Sequence, residues 1–129
     1  METVDTASWS PREVIISYLG FFKDRSGDFE RLRPLLSDRV RYVSPLGQFF
    51  SADSYIEDLA RDALLINDLK VKKLIVDGQT ACALYDVSSR DPEIGTISVT
   101  EWFEIFDGRI ESITSTHDAS AVKAILNRI

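Results

Sequence analysis

Cysteine and histidine are almost absent from this chain, and no stretch of it is long and apolar. Its single cysteine, Cys82, has no second thiol to pair with in the chain. It therefore closes no internal disulfide and supplies no thiolate cluster for a metal. A reducing compartment is the simpler expectation. The single histidine, His117, rules out imidazole clusters in the same way. No apolar run approaches the roughly 18 residues of a membrane span. The opening, METVDTASWS, lacks the basic start and apolar core of a secretion signal, so a cytoplasmic location is expected. Phosphate-cradling loops, Cys/His metal spacings and the G-x-S-x-G elbow are missing too, so neither a metal nor an organic cofactor is expected.

Positive charge is also short. The 15 Lys and Arg stand against 21 Asp and Glu, a net charge of -6. Nucleic acid needs a basic patch, and none is visible. The densest basic run, KVKK at 70–73, reads as the outer face of a strand. What the chain does have is an ordinary globular composition, 44% hydrophobic and 28% charged over 129 residues. That suits one domain, 1–129, with a sizeable core.

The clearest pattern is TISVTEWFEIFDG, 96–108. Ile97, Val99, Phe103 and Ile105 alternate onto one face of a strand, and Glu101 falls among them. Two readings stand side by side. The carboxylate sits at an edge and is satisfied by a neighbouring Lys or Arg, or it enters a lined pocket where desolvation favours its neutral form. Thr96, Ser98, Thr100, Trp102 and Glu104 make the other face, and an exposed Trp102 there suits a homodimer interface.

Upstream, Ser10, Pro11 and Glu13 spell a helix start, and Val14, Ile15, Tyr18, Leu19 and Phe22 recur at helical spacing. A second, shorter helix starts near Asp28 and is limited by Pro34. RVRYVSPLG then reads as a strand, alternating Val40, Tyr42 and Ser44 against Arg41 and Val43, and ending at Ser44-Pro45. SADSYIEDLARDALLI, with cap residues Ser51 and Asp53, puts Tyr55, Ile56, Leu59, Ala63 and Ile66 on one helical face. Four strands follow as two hairpins turning at Asp-Gly pairs, 77–78 and 107–108. A C-terminal helix is expected from Asp118 or Ser120 onward. The order, α-α-β-α-β-β-β-β, is that of an α+β protein whose antiparallel sheet curves around its helices and leaves a cavity between.

With Y-x-x-x-F in the first helix, V-S-P-L-G after the first strand and F-E-I-F-D-G-R-I before the last, this order resembles the nuclear transport factor 2-like superfamily. Within it, the chain is similar to the SnoaL-like and ketosteroid isomerase-like branch. The resemblance covers roughly 11–118. It implies a cone-shaped, cystatin-like fold and a small apolar ligand, turned over by cofactor-free proton transfer beside a carbonyl or simply bound. It puts Tyr18 at the place of the family's oxyanion-donating tyrosine and Glu101 at that of its protonated acid; this pair of donors is a known worked case. The family's base Asp is replaced by Ser44, and serine is no general base without help. His117 shares a strand face with Ile113 and Ser115, which the resemblance makes the pocket face, so it could carry the proton. It could equally bond a backbone carbonyl at the strand end. Asp86, which shares a face with Cys82 and Leu84, is the other candidate if that face turns inward. The opposite face, with Tyr85 and Val87, is no more polar, and periodicity cannot choose. Phe22, Tyr42, Ser44, Phe49, Tyr55, Leu59, Leu84, Phe103 and Ser115 would line the pocket, although core packing is the favoured reading of Tyr42, Phe49, Tyr55 and Leu59. An epoxide hydrolase of the limonene type would need an Arg-x-Asp pair where Leu84-Tyr85-Asp86 stands and an Asp at Ser115. Two of those three are absent.

Overall fold

The computed structural model of the chain describes residues 5–24, 28–62, 66–90, 92, 95–118 and 120. The expected C-terminal helix lies outside them. Helix α1, Pro11–Asp24, begins as the sequence predicts. The Ser10 amide donates to the Glu13 carboxylate at 3.1 Å, and the Glu13 amide donates back to the Ser10 hydroxyl at 3.2 Å. This reciprocal pair satisfies donors that the first turn would otherwise leave free. Val14, Ile15, Tyr18 and Leu19 form its buried face.

The second helix is a 3-10 segment, Phe29–Leu35, not an α-helix. Pro34 inside it has no amide to give, which limits the run to one short piece. Strand β1 spans Leu36–Ser44, and a short β2, Gly47–Phe49, folds back on it, pairing Tyr42 with Phe49. The sequence reading had ended the strand at that turn. Helix α2, Ala52–Asp62, is capped by Ser51, whose hydroxyl accepts from the Ser54 amide at 3.1 Å. It stops short of Ile66, which opens the next strand and pairs with Ser89, and was therefore wrongly placed on the helical face. Ala63 lies outside the described residues.

Strands β3 (Ile66–Asp77), β4 (Thr80–Ser89), β5 (Thr96–Phe106) and β6 (Arg109–Thr116) run antiparallel in sequence order. The sheet is β2-β1-β6-β5-β4-β3, and β1 joins β6 in parallel, so the sheet is mixed where the sequence reading had it antiparallel throughout. Register shifts within β3 at 66–68 and 71–73, between 104 and 105 in β5, and between 36 and 41 in β1 mark bulges. Such irregularities bend strands, and the sheet is curved and unclosed. Helix α1 lies over β3 and β4, and α2 lies against β1 and the 3-10 segment. The inner face, built from Ala81, Ala83, Tyr85, Ile97, Val99, Phe103, Ile105 and Ile113, meets them in one core.

The β5–β6 turn also anchors the N-terminal segment. Asp107 and Gly108 both have positive φ, at 50° and 73°, as a tight two-residue hairpin requires. The Thr6 hydroxyl donates to the Gly108 carbonyl at 2.7 Å and to the Pro34 carbonyl at 3.2 Å. A Cβ on Gly108 would stand 1.7 Å from the Thr6 carbonyl oxygen, so glycine is required twice over there. On the other side of the sheet, Trp102, Ile75 and Phe106 are exposed, as are Lys70, Lys72 and Lys73 on β3. No helix among the described residues is long and apolar enough to cross a membrane.

Candidate functional site

Glu101 is the one carboxylate in the apolar stripe of β5, and the structure buries it to 3% exposure on the inner face of the sheet. Its cross-strand partners are Ala83 on β4 and Ser115 on β6. No Lys or Arg pairs with it among the described residues. Burial pushes its carboxyl up to about 7, while hydrogen bonding from Tyr85 and Ser115 pulls the other way. The carboxyl is thus desolvated without a basic partner among the described residues, by packing and not by the lining of a pocket.

The chain has four tyrosines, and all four gather around this carboxyl. The Glu101 charge disfavours the phenolate of each of Tyr18, Tyr42, Tyr55 and Tyr85. Burial is the larger cause in every case, so the four remain phenols and serve as donors, not bases. The Tyr18 and Tyr55 hydroxyls hydrogen-bond one another. Tyr55 stacks on Tyr42 with centroids 4.5 Å apart and planes 22° apart. Tyr18 meets Phe22 and Phe103 edge-on at 5.0 and 5.5 Å. These rings come from α1, α2, β1, β4 and β5, so the cluster exists only once the whole fold has closed.

None of the expected lining residues borders the surface cavities found among the described residues. Phe22, Tyr42, Ser44, Phe49 and Leu59 are half-buried around the cluster, and Tyr55, Phe103 and Ser115 are buried in it. Tyr18 and Glu101, the two donors that the resemblance implies, are not hydrogen-bonded to one another, and the Tyr18 hydroxyl is taken by Tyr55. Nor do surface cavities of about 290, 420 and 260 Å³ among the described residues include Glu101 or any tyrosine in their lining. Tyr18, Tyr55 and Phe103 fill the interior at 2% exposure or less.

Two positions require correction. Asp86 and Leu84 lie on the outer face, because β4 turns Ala81, Ala83 and Tyr85 inward. Asp86 accepts from the Ser98 hydroxyl at 2.9 Å and pairs with Lys72 at 3.5 Å. Leu84 is 37% exposed. Tyr85 takes the inward place, a residue that sequence reasoning did not select. Its signal was present only as an aromatic in a strand with two equally apolar faces. Cys82 is half-buried on the same outer side as Leu84. His117, just past the end of β6, continues the inward alternation of Ile113 and Ser115; it is half-buried, and its Nδ1 is buried without a hydrogen-bond partner. Ser44 is engaged by its own turn, its hydroxyl accepting from the Leu46 amide at 3.2 Å and donating to the Gly47 carbonyl at 3.5 Å. No group of three His, Cys, Asp or Glu side chains that could hold a metal ion occurs among the described residues.

A curved sheet wrapped on helices, with one buried acid at its centre, defines the class as an α+β cone. The particular fold is the nuclear transport factor 2-like one. A nuclear transport factor 2-like protein of unknown function from Cytophaga hutchinsonii superposes with a TM-score of 0.73 at 18% identity, covering 95% of this chain and 99% of that one. A steroid delta-isomerase from Pseudomonas aeruginosa gives 0.74 at 15% identity, covering 91% and 86%. An LEH-like epoxide hydrolase from M. tuberculosis gives 0.72 at 17% identity, covering 92% and 90%. No protein-family model matches the sequence, and no curated protein matches it either.

Proposed function

We propose that the protein takes up a small, largely apolar carbonyl compound against Glu101 and moves a proton on the carbon beside that carbonyl. One observation carries this reading: a buried carboxyl held up to about 7 amid four neutral phenols. Near neutral pH such a group is in large part protonated, so it can donate to a carbonyl oxygen and strengthen that bond as an enolate forms. The ring of phenols supplies a low-dielectric surround that does not reorganise. His117 is the available proton carrier, since Asp86 faces away and Ser44 is held in its turn. Isomerisation, cyclisation by aldol chemistry and dehydration all use this arrangement. The likeness to a steroid delta-isomerase favours the first.

The test is an absorbance assay on β,γ-unsaturated ketones, which gain a conjugated chromophore on isomerisation. Wild-type protein is expected to turn one over, and Glu101→Leu to lose about 10²–10³ in rate, the usual cost of removing one oxyanion donor. Absence of turnover across the panel overturns the catalytic reading. A second reading, a ligand-binding module without catalysis, is favoured by Ser44, because no carboxylate base ends β1. Tight binding of phenols or ketones with no turnover would select it.

A further inference from the structure

Gly20 stands inside α1, where glycine weakens a helix, although neither its backbone nor its neighbours require it. Its φ is not positive, and a Cβ added to it would meet nothing within 4 Å. What the missing side chain leaves is room. Gly20 lines the cavity of about 290 Å³ between α1 and the 3-10 segment. Ser17, Gly20 and Phe21 reach that cavity from α1, and Arg31 and Pro34 reach it from the 3-10 segment. Both sets follow the three- and four-residue spacing that puts side chains on one helical face.

Trp9 closes the third side. Its amide bonds the Thr6 carbonyl at 2.9 Å, and the Thr6 hydroxyl donates to the Pro34 carbonyl at 3.2 Å, so the tryptophan is tied to the 3-10 segment it faces. The walls are therefore an indole, a phenyl ring and a prolyl ring, with the Ser17 hydroxyl and the Arg31 guanidinium among them. Arg31 differs from Arg33, which pairs with Glu30 and with Asp53, both at 2.7 Å. No carboxylate pairs with Arg31 among the described residues, in a chain whose 21 Asp and Glu outnumber its 15 Lys and Arg. A free guanidinium offers a planar fork that matches a carboxylate. Ligand pockets begin at about 300 Å³, so the space suits a single ring.

We propose that this cavity binds a small aromatic carboxylic acid as its anion, the ring held among Trp9, Phe21 and Pro34 over Gly20 and the carboxylate paired with Arg31. Gly20 is the floor of the site, a place where helix stability yields to space for the ring. The larger cavity beside α2 does not suit the same ligand, because the one cation in its lining, Arg33, is already neutralised by Glu30 and Asp53. Neither Glu101 nor any tyrosine lines the Arg31 cavity, so this inference stands independently of the carbonyl-binding reading above.

The full chain, labelled with nitrogen-15, is titrated with sodium phenylacetate and separately with phenylacetamide, which keeps the ring and loses the charge. Phenylacetate is expected to bind with a Kd of about 1 mM or tighter, in the range of a one-ring ligand. It should shift the indole N–H resonance of Trp9 and leave that of Trp102, on the outer sheet face, in place. The amide should bind about tenfold more weakly, the difference a charge-assisted hydrogen bond makes. Arg31→Gln should bring the acid down to the affinity of the amide. Gly20→Leu fills the cavity with a better helix former, so it should abolish binding while the Tm holds or rises. Arg31 is exposed, so its variant keeps the test open even if Gly20→Leu fails to fold. A Trp9 resonance that does not move, equal affinities for acid and amide, or binding undiminished in a folded Gly20→Leu would each overturn the proposal.

Discussion

Glu101 and Ser115 face each other directly across β5 and β6, and both are buried, at 3% and 4% exposure. The serine hydroxyl favours the carboxylate form of its partner. Ser115→Ala should therefore move the Glu101 midpoint above about 7, read by carbon-13 NMR of the labelled carboxyl. An unchanged midpoint would mean that Tyr85 alone tunes the group.

The same carboxyl makes stability depend on pH with an unusual sign. Its midpoint is about 7 in the folded chain against an ordinary 4.5. Between those values the folded state binds the proton and the unfolded state has lost it. Stability contributed by this group is thus full below about 4.5, falls as pH rises to about 7 and is flat beyond. At about 1.4 kcal/mol per pH unit, the loss is on the order of 3 kcal/mol. Urea titrations at a series of pH values should show this slope in the wild type and its disappearance in Glu101→Gln.

Tyr18 and Tyr55 are both essentially sealed from solvent, and each hydroxyl satisfies the other. Removing one leaves the other buried and unpaired. Tyr55→Phe and Tyr18→Phe should each cost about 1–3 kcal/mol, whereas the double variant should cost clearly less than the sum, because no orphan hydroxyl remains. Chemical denaturation of the three variants measures the coupling.

Gly108→Ala must push the Thr6 carbonyl away as well as adopt a positive φ. A loss of about 2 kcal/mol or more is expected, with the N-terminal segment released from the β5–β6 turn. Hydrogen exchange at the Trp9 amide, which bonds the Thr6 carbonyl at 2.9 Å, should rise in the variant.

The outer sheet face carries Trp102 at 53% exposure, with Cys82 opposite it on β4, Ile75 beyond on β3 and Leu84 diagonal to it. Apolar side chains so grouped suit a homodimer. Light scattering at micromolar concentration should give twice the chain mass, and Trp102→Glu should return it to one.

Legibility in the sequence followed the range of the interaction. Strand β5 was readable because burial on one face alternates along its length, so Glu101 stood out as the exception in its stripe. The start of α1 was readable because Ser10 and Glu13 act on each other within one turn. Tyr85 and Asp86 were not separable, since both faces of β4 are apolar and the choice is made by the neighbouring strands. The pairing of Tyr18 with Tyr55 spans two helices far apart in the chain, and neither residue carries a local sign of it. The short β2 and the parallel contact of β1 with β6 are likewise settled by partners, not by propensity.

Strand β3 forms one margin of the sheet, twelve residues long. A bare margin of that length invites a strand from another molecule, and successive additions would grow a filament. Lys70, Lys72 and Lys73 are exposed along it, and the register shift at 71–73 breaks its straight run. Incoming chains would have to bring like charges together along a bent template. The exposed basic run and the bend beside it thus work against strand addition at this edge, a matter of colloidal behaviour at high concentration.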